Sequence, residues 1–331
     1  MGIFLKTQKL MNVQNNLYWQ LEECKYMDGH GYVTNYAVLN GQDEFNNHIR
    51  RYYKGYKFDD TNPAVTTFDQ PTARGKFRSA VSTDGVDVMA SGGEDSVSTN
   101  TDTIEQFRAD SGFTVAKTAS PVLSVGRELG IGTASRANSH WHIGGQRATN
   151  NPKSEIEAIH YSSNATLVAQ GNLTTGGRSP IGCGNGNAAF YRENTIGGFQ
   201  ILQVINIADH TGGTGTNFIS QVKGGTSLVG IAQFGSAVST GPDAVFVANT
   251  VVTAIPFDDT GVEATWPVTL ASNHNRGAAT TDGDTIAFSG GLLAGSDTIR
   301  YIQADSMNTT VTASTQSLDI SMKWHSMISY Q

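Results

Sequence analysis

Five stretches of this 331-residue chain repeat one order of features: a short run of apolar or small residues, a turn, and a second run ending in Gly-Gly or Asn. They are RSAVSTDGVDVMASGG (78–93), LGIGTASRANSHWHIGG (129–145), SPIGCGNGNAAFYREN (179–194), VGIAQFGSAVSTGPDAVFVAN (229–249) and RGAATTDGDTIAFSGG (276–291). Asp84-Gly85, Asn185-Gly186 and Asp282-Gly283 mark the turn in three of them; such pairs favour the positive φ of tight hairpins. Asn138 and Gly241-Pro242-Asp243 fill the same slot in the other two. Each stretch is therefore expected to form a β-hairpin.

Two further landmarks keep the same order. A strand-like segment follows each hairpin: 103–110 (TIEQFRAD), 155–162 (EIEAIHYS), 198–205 (GFQILQVI), 251–259 (VVTAIPFDD) and 297–305 (DTIRYIQAD). A leucine closes each unit, and in most copies a basic residue opens the next: Leu123 with Arg127, Leu173 with Arg178, Leu228 alone, Leu270 with Arg276 and Leu318 with His325. Units recur every ~40–55 residues, a spacing that signals repeat architecture.

This order of hairpin, Gly-Gly, Ile-Glu strand and Leu followed by Arg resembles the kelch repeat over residues 75–331. Its best copies carry Gly92-Gly93 with Ile104-Glu105 and Gly144-Gly145 with Ile156-Glu157. The resemblance implies an all-β, kelch-like β-propeller of about five four-stranded blades, with Gly92, Gly93, Gly144, Gly145, Gly290 and Gly291 as blade glycines. The physics agrees. One four-stranded sheet cannot bury both faces, so such sheets pack side by side. Gly-Gly supplies positive φ and lets neighbours approach. The third and fourth copies depart from the pattern, with Glu193-Asn194 and Ala248-Asn249 in place of Gly-Gly. Most of the family's Tyr and Trp positions are replaced; Trp266 sits near an expected one. The tail 322–331 is expected either to pair with the first blade or to join part of the N-terminal segment in a sixth.

Residues 1–73 differ in texture, being rich in both aromatic and charged groups. They are assigned to an N-terminal arm for docking or oligomerisation, and 74–331 to the propeller. Within the arm, 32–40 alternates like a strand, and 43–56 is read as a short helix with Ile49, Tyr52 and Tyr53 on one side. Exposed aromatics would suit a partner surface.

Composition narrows function by exclusion. Charged residues make up 15% of the chain, against about 25% in ordinary domains, and Gly, Ser, Thr and Asn take their place. The net charge of −7 and the lack of a basic run remove the electrostatic drive for nucleic-acid binding. The N-terminus lacks the apolar core of a signal peptide, and no apolar run approaches membrane-spanning length, so the expectation is synthesis in the cytoplasm without membrane insertion. Cys24 and Cys183 lie far apart and are expected to be free thiols.

Motifs for catalysis are sparse. His140-x-His142 has metal-like spacing, with both rings on one strand face, yet zinc would need further ligands, for which His160 is the candidate. Copper chemistry of the galactose-oxidase type, known on kelch-like folds, would use Cys183 near Tyr191 but finds no accompanying His pair. Ser82-Thr83-Asp84-Gly85 matches only the start of a sialidase box. There is no phosphate loop and no G-x-S-x-G. No cofactor is expected, and the protein is read as a non-enzyme. Its composition resembles that of bacteriophage and other viral particle proteins: tail fibres, receptor-binding proteins, and neck or nozzle components. That resemblance implies a virion structural protein whose partners are other virion proteins, copies of itself and a host-surface glycan. Trp141, Tyr161, Tyr191 and Asn194 are the candidate ligand-facing groups. A cellular kelch-like adaptor is the alternative, and a carbohydrate-active enzyme is disfavoured.

Overall fold

The computed structural model describes residues 35–43, 48–58, 67–69, 80–84, 87–94, 100–108, 116–135, 139–147, 151–161, 168–177, 180–192, 202–207, 220–223, 235–257, 264–289, 296–304, 310–323 and 325–330. Among these residues there are strands and no helix. The N-terminal strands are β1 (Asn35–Asp43), β2 (His48–Lys57) and β3 (Thr67–Asp69). A first antiparallel sheet holds β4 (Ala80–Thr83), β5 (Asp87–Ser91), β6 (Thr103–Arg108) and β7 (Ala116–Val122) in chain order. A second holds β8 (Ile131–Ser135), β9 (Ser139–Ile143), β10 (Lys153–His160) and β11 (Val168–Gly177). A third holds β12 (Ile181–Gly184), β13 (Ala188–Arg192), β14 (Leu202–Asn206) and β15 (Ser220–Lys223). A fourth holds β16 (Ser236–Ser239), β17 (Asp243–Pro256) and β18 (Ala264–His274).

The remaining strands are β19 (Ala278–Thr281), β20 (Thr285–Ser289), β21 (Ser296–Gln303), β22 (Thr312–Lys323) and β23 (Ser326–Tyr330). They share one eight-stranded sheet with β1–β3, in the order β19-β20-β21-β22-β1-β2-β3, with β23 also paired to β1. The join between β22 and β1 is narrow: Gln42 faces Lys323 and Asp43 faces Met322. The sheet is thus two meanders, β19–β22 and β23-β1-β2-β3, touching at one corner. The described strands fall into six such units where the repeat pattern predicts five. The extra unit is built from both ends of the chain, with Asn35 opposite Tyr330 and Leu39 opposite Ser326.

The hairpins form where the sequence places them. Ser239 pairs with Ala244, Gly184 with Ala189 and Thr281 with Ile286 across two-residue turns. Gly186, Gly241 and Gly283 take φ of 86°, 96° and 93° at the first turn position, where a type II′ turn wants glycine. Before Gly186 and Gly283 the preceding Asx side chain caps its own turn. Asn185 Oδ1 accepts from the amide of Ala188 at 3.0 Å, and Asp282 Oδ1 from that of Thr285 at 2.7 Å. Asp84 Oδ1 does the same for Asp87, also at 2.7 Å.

The second strand of each hairpin is covered on both faces. β5 and β9 are buried at every position, polar residues included. The cores lie between units. Ile131, Trp141 and Ile156 of the second sheet pack on Ala189, Tyr191 and Ile205 of the third. Phe190 of the third stacks on Phe257, 4.7 Å between ring centres. Full burial of an Ile or Phe among these stabilises by about 1.5–3 kcal/mol.

The first strands of the units touch in succession: β4 on β8, β8 on β12, β12 on β16, β16 on β19, β19 on β23, and β23 on β4 again. Small residues allow this. A side chain at Gly132 would strike the backbone of Val81, and one at Gly184 would strike Thr133.

Two expectations for the N-terminal segment are corrected. The stretch read as a short helix is largely strand β2, because Tyr56 and Tyr53 find cross-strand partners in Tyr36 and Leu39 and such pairing outweighs local helical spacing. Nor are three of the arm's aromatics exposed. Tyr36, Tyr56 and Phe58 are buried with Ile299, Tyr301 and Met322 from the C-terminal strands, and the Tyr36 and Tyr301 hydroxyls bond at 2.7 Å.

Candidate functional site

Residues on or next to the six first strands line a pocket. Ser82 and Thr83, Gly132 and Thr133, Cys183 and Asn185, Val238 and Ser239, Thr280 and Thr281, and Ile328 and Ser329 contribute to its wall. Among the described lining residues there is no Asp, Glu, His, Lys or Arg. Its polar groups are hydroxyls, an amide and a thiol, and several are already engaged. Thr83 and Thr281 donate to the carbonyls of Asp87 and Thr285, each at 2.8 Å. Asn185 Nδ2 donates to the Gly241 carbonyl at 3.4 Å. Cys183 is free, and burial pushes its thiol well up, away from the thiolate. Cys24 lies outside the described residues. The wall can thus offer hydrogen bonds and small apolar surface to a neutral group.

Behind this wall the junction between the first two sheets is polar. Ser82 Oγ bonds the Tyr161 hydroxyl and lies 2.6 Å from His140 Nδ1. His140 Nε2 lies 2.7 Å from Ser91 Oγ, which also lies 2.7 Å from His142 Nδ1. The two rings do share one strand face, as the spacing predicts, and they meet a serine. His160 instead bonds Ser139 at 2.8 Å. Among the described residues no group of three or more His, Cys, Asp or Glu is placed to hold a metal ion. Burial lowers His140 to about 3 and raises Tyr161 well above its ordinary value.

Beside this chain lies an ion pair that spacing alone does not reveal. Arg127 Nη2 sits 2.6 Å from Glu157 Oε2, with both side chains essentially inaccessible. Glu157 Oε1 also accepts the Ser124 amide at 2.8 Å. Burial pulls the Arg127 guanidinium down and Glu157 opposes it. Ser–His contacts recur elsewhere: Ser236 with His274 at 2.6 Å and Ser289 with His325 at 2.8 Å. Burial lowers these rings to about 3 and about 4.

The sequence-predicted site residues fall as follows. Trp141 is 1%, Tyr161 1% and Tyr191 0% exposed, so these three are core side chains rather than groups on an open loop. Tyr191 packs on Gly144, where an added Cβ would collide with its ring. Asn194, Gly290 and Gly291 lie outside the described residues. Gly92 and Gly93 take φ of 64° and 94°, and Gly144 and Gly145 60° and 108°. In the fourth copy Asn249 holds φ of 50°, a left-handed conformation that Asn tolerates better than other side chains.

No family model matches this chain, and no curated protein matches it. Among solved structures, that of YjhT aligns with 85% of this chain and 98% of its own length, with a TM-score of 0.62 and 11% identity. The chain shares that protein's fold. At such low identity the similarity is one of architecture only. Among the described residues no helix is long and apolar enough to cross a membrane.

Proposed function

We propose that this chain is a six-bladed, kelch-like β-propeller closed by its own two ends, and that it serves as a binding and structural module rather than a catalyst. The observation that supports this reading most is the cyclic order of the first strands, in which β23 lies against β4 and pairs with β1. Strand edges that would otherwise invite aggregation are covered by such a closure. The pocket lined by residues along that order carries neutral groups on its described wall, which suits a supporting role or contact with a neutral ligand better than acid–base chemistry.

The specific form proposed is a virion structural protein, presented on a tail or capsid surface, with outer loops meeting neighbouring subunits or a host glycan. Low charge and abundant Gly, Ser, Thr and Asn support that placement. Mass spectrometry of density-purified particles from the source culture tests it. A stoichiometric presence against the major coat protein is the expected result. Absence from particles overturns the virion reading and favours the cellular adaptor, whose partner a pull-down would then identify.

A further inference from the structure

We infer that the buried chain Tyr161–Ser82–His140–Ser91–His142 is an acid-sensitive latch between the first two sheets. Its five members come from both sides of one junction. Ser82 is on β4 and Ser91 on β5, His140 and His142 are on β9, and Tyr161 directly follows β10. Every member is buried.

Proton bookkeeping shows why the latch holds when neutral. The four contacts need one hydrogen each. Running from the tyrosine, Tyr161 donates to Ser82, Ser82 to His140 Nδ1, His140 Nε2 to Ser91, and Ser91 to His142 Nδ1. Both rings are then neutral Nε2–H tautomers, and each serine hydroxyl donates once and accepts once. A proton added to His140 makes both its nitrogens donors. Ser82 must then turn its hydrogen back toward Tyr161, whose own hydrogen loses its acceptor. The junction would also hold a cation with no carboxylate bonded to it.

The charged and titratable groups around the ring do not relieve this. His142 shares Ser91 with it. Asp84 caps its own turn, and Asp87 is bonded by Gln106 Nε2 at 2.7 Å. Glu157 is committed to Arg127. Burial lowers His140 to about 3.

The sign follows from linkage. The ring's folded value lies below its unfolded value of about 6.5, so its contribution is complete above that pH and is lost as pH falls toward 3. At pH 4.5 this one group raises the unfolding constant roughly a hundredfold relative to neutral pH.

The test uses the full chain. Urea unfolding is followed from pH 7.5 to 4.5 for wild type and for His140→Gln, whose amide can meet two hydroxyls without titrating. The variant is expected to take up about one proton fewer per molecule on unfolding in this window; parallel curves for the two proteins overturn the latch. If His140→Gln does not fold, hydrogen exchange of wild type decides, with rates corrected for intrinsic pH dependence. Acid should release the amides of β4, β5 and β9 before those of β12–β14, strands that carry no histidine. Earlier loss in β12–β14, or uniform loss, sinks the proposal.

Discussion

The junction between the first and second sheets and that between the fourth sheet and β19–β22 join similar hairpins by different chemistry. The former holds a modest apolar cluster of Met89, Ile104, Leu123, Ile159 and Tyr161. Beside it run the buried Ser–His chain and the Arg127–Glu157 pair. The latter is mostly hydrocarbon, with Val238, Val245, Trp266, Ile286, Phe288 and Ile302 among its members. Its polar feature is His274, bonded to Ser236 and set edge-on against Phe288. One architecture thus tolerates either directional, desolvated contacts or non-directional burial. The first rests on a chain of directional contacts; the second rests chiefly on filled volume, with His274 lowered by burial as His140 is.

Breaking the polar junction should have the largest effect. Arg127→Ala leaves Glu157 as an uncompensated buried carboxylate, and a loss of about 3–5 kcal/mol is expected. The double variant Arg127→Met with Glu157→Leu should recover most of it, because removing both charges removes the desolvation cost. Urea midpoints of the single and double variants check this. A double variant as weak as the single would mean that shape, not charge, governs the site. In the apolar junction, Ile286→Ala should cost about 2–5 kcal/mol through lost burial and the cavity left behind. Its pH dependence should match wild type, which separates it from His140→Gln; a changed slope would show that the cavity alters the burial of His274 in the same junction.

What was legible in the sequence follows the range of the interactions. Asn185-Gly186 and Asp282-Gly283 announce their hairpins because the turn is stabilised within four residues. The all-β class follows from those repeated local signals. Strand β1 was legible in the alternation of 32–40, but its pairing with β23 at the other end of the chain was not, and β2 was read as a helix because its opposing strand is not visible locally. Spacing of Ile49, Tyr52 and Tyr53 suits a helix face as well as a strand, and only the opposing strand decides. Arg127 and Glu157 were each visible as repeat landmarks, yet one lies in the connection before β8 and the other on β10, and only the fold brings them together. Trp141, Tyr161 and Tyr191 looked suited to a ligand because aromatic character is readable and burial is not. Ser91 and Ser289 each precede a Gly-Gly pair and each meets a histidine. That shared position was the available signal for the buried Ser–His contacts.

The smallest expected effect belongs to the turns, where the repeat supplies its own control. Asp84, Asn185 and Asp282 occupy one position in three hairpins, and each offers Oδ1 to the amide three residues on. Asp282 Oδ1 also accepts from Asp284 at 2.9 Å. Removing the acceptor in Asp282→Ala should cost about 1 kcal/mol, since solvent can partly replace it at this half-exposed turn. Asp282→Asn keeps the oxygen and copies the natural choice at Asn185, so it should be nearly neutral. Thermal unfolding of the two variants distinguishes the roles. If the asparagine variant falls as far as the alanine one, the negative charge rather than the acceptor geometry matters at Asp282. The third hairpin would then hold its turn by a different balance from the others, and the equivalence of the units would end at the backbone.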